Sequence, residues 1–130
     1  MDSSSTQAET KSIYRERLQQ AKRVMQGLSD QQRVNNFSMN VFAISSDLGV
    51  IACIAGHCGL DPWFQERGFV TRMSGASGYV NIAPERFFGT EQPFYPSYYS
   101  TPSSVTFDEA LSALDSAIAR FCDDTSGATA

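Results

Sequence analysis

GVIACIAGHCGLDPWFQERG, residues Gly49–Gly68, holds two of the three cysteines, the only histidine and the only tryptophan of a 130-residue chain. How this stretch is read decides the fold. From Gly49 to Gly56 it is apolar on nearly every side, so it is buried whether it is a strand or a helix. Val50, Ile51 and Ile54 favour a strand, whereas the interspersed Ala and Gly would let a helix approach its neighbours closely. The reading adopted is a buried helix from about Leu48 to Cys58. The second half is plainer. Asp61 can cap a helix by accepting a backbone N–H, and Pro62 suits a first turn, where no N–H is needed. Trp63 and Phe64 are then expected to pack inward, with Gly68 ending the turn.

On such a helix Cys53 and His57 would lie four residues apart on one face. That geometry offers three chemistries. A metal site would need about four ligands if structural, or three plus water if catalytic. Cys58, Cys122 and Asp61 are the available extras, but their spacing matches no zinc ribbon or finger. A Cys–His enzyme would use Cys58, or else Cys53, as nucleophile and His57 as base. Neighbouring helical residues diverge, however, so His57 serves Cys58 poorly. The third reading has no chemistry in it. The thiols are small buried hydrophobes and His57 bonds a backbone carbonyl or a helix end. That reading is adopted, with no catalytic residue, metal or cofactor expected.

Outward from this centre the pattern is clearer. Ile13, Tyr14, Leu18, Ala21, Met25 and Leu28 form one apolar helical stripe between about Glu9 and Gln26. Ser29 and Gln32 fit a capping box that opens a short second helix. In NNFSMNVFAISSD, Phe37, Met39 and Val41 alternate, but Phe42, Ala43 and Ile44 break the alternation, so the segment reads as extended or irregular. FVTRM and YVNI are strand-like runs joined by SGASG, a hairpin pattern. APERFFG repeats the Pro-then-aromatic pattern of a short helix. Thr106 and Glu109 form a second capping box, ahead of a stripe of Ala110, Leu111, Leu114, Ala117, Ile118 and Phe121. The sum is an α+β domain over residues 9–124, flanked by flexible tails at 1–8 and 125–130. Long N- and C-terminal helices pack on a compact centre of short helices and a small β-hairpin.

Charge is unevenly placed. Up to Arg33 six basic residues face four acids, and from Val34 onward four face ten, for a net −4. That surplus of acid disfavours phosphate tracking, so nucleic acid is not expected as a partner. No run reaches the ~20 apolar residues of a membrane helix, and the start lacks the order of a secretory signal. An odd cysteine count with no disulfide-like spacing fits a reduced, cytoplasmic protein.

The loop TEQPFYPSYYSTPSS concentrates aromatics and prolines. Tyrosine is enriched at protein interfaces because it presents a large rigid surface with a polar tip. No Lys or Arg occurs from Glu91 through Ala119, which disfavours base stacking along a nucleic acid strand. Phe94, Tyr95, Tyr98 and Tyr99, with Glu91 beside them, are therefore the candidate partner-binding residues.

Three segments, NNFSMNVF, ACIAGHCGLDPWFQERGF and ERFFGTEQPFYP, together resemble a family of small proteins encoded by phages and prophages. The matching positions include Phe37, Met39, Phe42, Cys53, Gly56, His57, Trp63, Phe64, Phe87, Phe88, Gly89, Phe94 and Pro96, over about residues 34–96. Members often carry Cys-Gly-Thr where this chain reads Asp47-Leu48-Gly49, which weakens a catalytic reading. The family has no assigned activity, so the resemblance implies a mobile-element setting in a bacterial host cell. The expected function is a non-enzymatic accessory factor that binds a host protein. An inhibitor of a defence system, of the anti-CRISPR kind, is its most concrete form.

Overall fold

The computed structural model describes residues 3–47, 49–99 and 104–129, with side chains placed over 10–47, 49–99 and 104–121. In chain order the elements are α1 (Ser3–Gln26), α2 (Asp30–Asn35), β1 (Ala43–Ser46), β2 (Gly49–Ala52), α3 (Ile54–Gly59) and α4 (Pro62–Glu66). There follow β3 (Thr71–Ser74), β4 (Ser77–Val80), α5 (Pro84–Phe88), a 3₁₀ turn (Pro96–Tyr98) and α6 (Phe107–Thr129). The chain is α+β, with a four-stranded antiparallel sheet in the order β2-β1-β4-β3.

The decisive stretch divides at Cys53. Gly49–Ala52 is a strand and Ile54–Gly59 a helix, which corrects the single helix expected from about Leu48 to Cys58; Leu48 itself lies outside the described residues. Cys53 makes the switch. Its backbone is extended (φ −80°, ψ −175°) and its Sγ accepts from the Gly56 N–H at 3.5 Å, the work of a helix cap. The strand half pairs Val50 with Ser45 and Ile51 with Ile44 on β1, so the segment read as extended or irregular is extended at Ala43–Ser46, where it forms a strand. The alternating Phe37, Met39 and Val41 provide only one parallel bridge, from Phe37 to Ala52. The second hairpin is tighter than its five-residue linker implies. Ser74 pairs with Ser77 and Met73 with Gly78, so only Gly75 and Ala76 turn, with Gly75 at φ +68°.

Both capping boxes form. Ser29 Oγ accepts from the Gln32 N–H at 3.1 Å while Gln32 Oε1 accepts from the Ser29 N–H at 2.8 Å. Thr106 and Glu109 repeat the exchange at 3.1 and 2.9 Å. The end helices are longer than their apolar stripes: α1 starts at Ser3 and α6 reaches Thr129, into the segments expected as tails. The two pack together, Tyr14 against Phe121 at 5.9 Å and Lys22 bonded to Asp115 at 2.6 Å. Leu18, Ala21 and Met25 on α1 and Ala110, Leu114 and Ala117 on α6 are buried, whereas Ile13 is half exposed and leaves the stripe.

The core is built around phenylalanines. Phe64, Phe69, Phe87, Phe88 and Phe94 form a continuous chain of rings, from Phe69–Phe87 at 4.7 Å to the stacked pair Phe88–Phe94 at 4.3 Å. Burying each contributes about 1.5–3 kcal/mol. α3 seals the sheet side of this core, where Thr71 Oγ1 donates to the Gly56 carbonyl at 2.7 Å. A Cβ at Gly56 would stand 1.7 Å from the Phe42 carbonyl oxygen, so only glycine lets α3 come this close.

Candidate functional site

The chemistry-bearing residues of α3 point inward. Cys53 and Cys58 are buried to 1% and 0% exposure. Burial pushes the Cys53 thiol up to about 11 and Cys58 well above its ordinary value, so both remain thiols at neutral pH. The Cys53 Sγ is occupied with the Gly56 N–H and faces the Phe42 carbonyl at 4.0 Å.

His57 is fixed by a carbonyl, as the third reading expects. Its Nε2–H donates to the Asn36 oxygen at 2.7 Å. Burial holds the ring below its usual pKa, and the Asn36 bond only partly offsets this. Asn36 also accepts from the Ala52 N–H at 3.1 Å, so one carbonyl ties β2 and α3 to the end of α2. These bonds hold the ends of α2, β2 and α3 together. Among the described residues no three His, Cys, Asp or Glu side chains converge as a metal site, and the side chain of Cys122 lies outside them. Trp63 packs against the core as expected, edge-on to Phe64 at 4.9 Å. It is half-buried, with the Arg67 guanidinium 3.6 Å above its ring.

The aromatic loop separates into two kinds of residue. Phe94 is 1% exposed and stacks on Phe88, so it belongs to the core and cannot anchor a partner. The tyrosines surround it with their hydroxyls pinned. Tyr95 donates to the Glu85 carboxylate at 3.0 and 3.1 Å, Tyr99 to the Pro93 carbonyl at 2.7 Å, and Tyr98 to Glu91. Burial and the Glu85 bond push the Tyr95 hydroxyl up to about 12. The Glu91 bond raises that of Tyr98, and burial that of Tyr99. All three are therefore neutral donors throughout the physiological range. The loop is also more regular than its prolines suggest, because Pro96–Tyr98 forms a 3₁₀ turn.

Two hollows flank this loop. A crevice of about 170 Å³ lies between Tyr95, Pro96 and residues 39–42, with Cys53 and Phe94 in its wall. A second, of about 400 Å³, is lined by Tyr98, Tyr99, Asp108, Glu109, Ser112 and Ala113. Glu85, Asp108 and Glu109 thus join the tyrosine face, although the sequence offers only helix-capping roles or a polar turn for them. The signal that could have found Glu85 is weak, since ten residues separate it from Tyr95. No protein-family model, curated protein or solved structure matches the chain. The geometry of its own residues therefore carries the functional argument.

Proposed function

We propose that this chain is a non-enzymatic binding protein of the phage or prophage type that works by occupying a host protein. Its most concrete form is an inhibitor of a bacterial defence system. The observation that carries the reading is the pinned tyrosine face. Tyr95, Tyr98 and Tyr99 are each held by a hydrogen bond within the fold, so little side-chain freedom is lost on contact. The crevice beside Tyr95 offers an apolar socket next to that face. Carboxylates ring it at Glu85, Glu91, Asp108 and Glu109, so the complementary surface is basic, and the acidic body steers such a partner into place. No helix among the described residues is long and apolar enough to cross a membrane.

The test is capture from a bacterial lysate at low salt. The tagged chain retains one stoichiometric partner protein, and Tyr98→Ala combined with Glu91→Lys abolishes retention. Those two residues are exposed, so the double variant keeps its fold. Absence of any stoichiometric partner, or a partner indifferent to both changes, defeats the proposal.

A further inference from the structure

A third cleft, of about 390 Å³, is lined by Arg17, Arg67 and Arg86 together with Asn81, Ile82, Ala83 and Phe87. Its volume falls within the about 300–1,000 Å³ typical of small-ligand sites. Three of the ten basic residues meet here from α1, the end of α4 and α5. Two of the guanidiniums are fixed from behind. Arg17 donates through Nη1 to the Phe87 carbonyl at 2.8 Å and lies 3.9 Å over the Phe87 ring. Arg67 donates to the Trp63 carbonyl at 2.7 Å and lies over the Trp63 ring. A guanidinium has five N–H donors, so most remain for a ligand. Asn81 is held in place, its Oδ1 accepting from the Val70 N–H and one amide N–H donating to the Gly68 carbonyl, which leaves one N–H.

Among the described residues nothing neutralises this cluster well. Its one ion pair among the described residues is Arg67 with Glu66 at 3.8 Å, on a carboxylate side chain 76% exposed. Among the described residues neither Arg17 nor Arg86 has a salt-bridge partner, although the chain carries fourteen acids. Like charges gathered in one cleft repel. Arg17 feels this: burial lowers its pKa most, Tyr14 opposes that shift, and the charge of Arg67 lowers it further, with Glu16 opposing least.

We infer that this cleft binds a compact phosphate-bearing ligand, with Arg17, Arg67 and Arg86 clamping a phosphate or diphosphate group. A carboxylate has one charge and two oxygens, which a single arginine fork satisfies. A phosphate monoester brings about −1.5 to −2 charges and three acceptor oxygens, enough to engage several forks. The acidic surface elsewhere repels a long polyanion, which leaves a small ligand or a single phosphorylated side chain. The site is separate from the tyrosine face, and its test does not depend on that reading.

The experiment is an amide and arginine-side-chain NMR titration with inorganic pyrophosphate at low salt. Saturable shifts at Ile82, Ala83, Phe87 and the three arginines are expected. Arg86→Gln weakens binding by on the order of tenfold, the scale of one charged hydrogen bond. Arg86→Lys recovers part of that loss. Arg72→Gln, exposed on β3 and outside the cleft, changes affinity less than about twofold. Both glutamine variants involve exposed side chains, and unshifted signals far from the cleft report their folding. The proposal fails if ~10 mM pyrophosphate gives no saturable shift. It also fails if the two glutamine variants lose equally, or if succinate binds as tightly. Tighter binding of a thymidine oligonucleotide that depends on Arg72 would show a nucleic acid surface instead, and would equally overturn it.

Discussion

α3 and the tyrosine loop carry similar chemical potential and use it in opposite directions. His57 and Tyr98 are both aromatic rings with a polar edge. His57 spends its N–H on the Asn36 carbonyl inside the protein, whereas Tyr98 is 47% exposed and bonds Glu91 at the surface. Cys53 and Phe94 share the wall of one crevice, yet both are sealed to 1% exposure. Reactive residue types therefore say little about function until burial is known. A polar group that already has its partner indoors holds the fold together, and one pinned at the rim is available for recognition.

The sharpest way to break this contrast is at Gly56. Gly56→Ala sets a methyl 1.7 Å from a backbone oxygen and 2.8 Å from the Ala52 side chain. Neither neighbour can swing away, so the loss is expected to reach or exceed about 3 kcal/mol, read as a collapsed urea midpoint or an unfolded chain. Phe94→Ala comes next, at about 3–5 kcal/mol, because it opens a cavity against Phe88. An ordinary melting curve for that variant would return Phe94 to the surface set. Labelling with iodoacetamide sharpens the comparison further. At neutral pH Cys53 and Cys58 should react only as fast as the native protein unfolds, and prompt labelling would mean a thiolate open to solvent.

A milder effect comes from pH. The folded pKa of His57 lies below its ordinary value of 6.5, so the unfolded chain binds the proton more readily. This contribution to stability is intact above about pH 6.5 and declines as pH falls toward the folded pKa. Urea midpoints of the wild type should fall through this window, and His57→Gln should flatten that part of the profile. A wild-type midpoint unchanged from pH 7.5 to 5 would mean an open imidazole. The smallest change is expected from Tyr98→Ala, within about 0.5 kcal/mol of wild type, while partner capture suffers.

What could be read from the sequence was mostly local. The capping boxes at Ser29 and Thr106, the cap at Asp61 and the hairpin around Gly75 each rest on residues within a few positions of one another, and each is present. The β1–β2 hairpin escaped because Ala43, Ser45, Ser46 and Gly49 give no apolar alternation. The strand-to-helix switch at Cys53 was hidden inside one apolar run, and a thiol is not a usual cap. A loop's composition does not reveal which ring finds Phe88, so in sequence Phe94 is indistinguishable from its tyrosine neighbours. The arginine cleft was invisible for a different reason: Arg17 and Arg67 are fifty positions apart in the chain. Only the tertiary fold brings them together.

The embrace of α1 and α6 has a consequence for synthesis. Met25 and Leu114, buried in the same core, are separated by 114 − 25 = 89 residues. At about 5–20 residues per second, a ribosome needs roughly 5–20 s to span that gap. Throughout that interval the apolar stripe of α1 is without its covering helix. The emerging chain is a client for holding chaperones, and an early stop before Phe107 would leave a product that cannot close its own core.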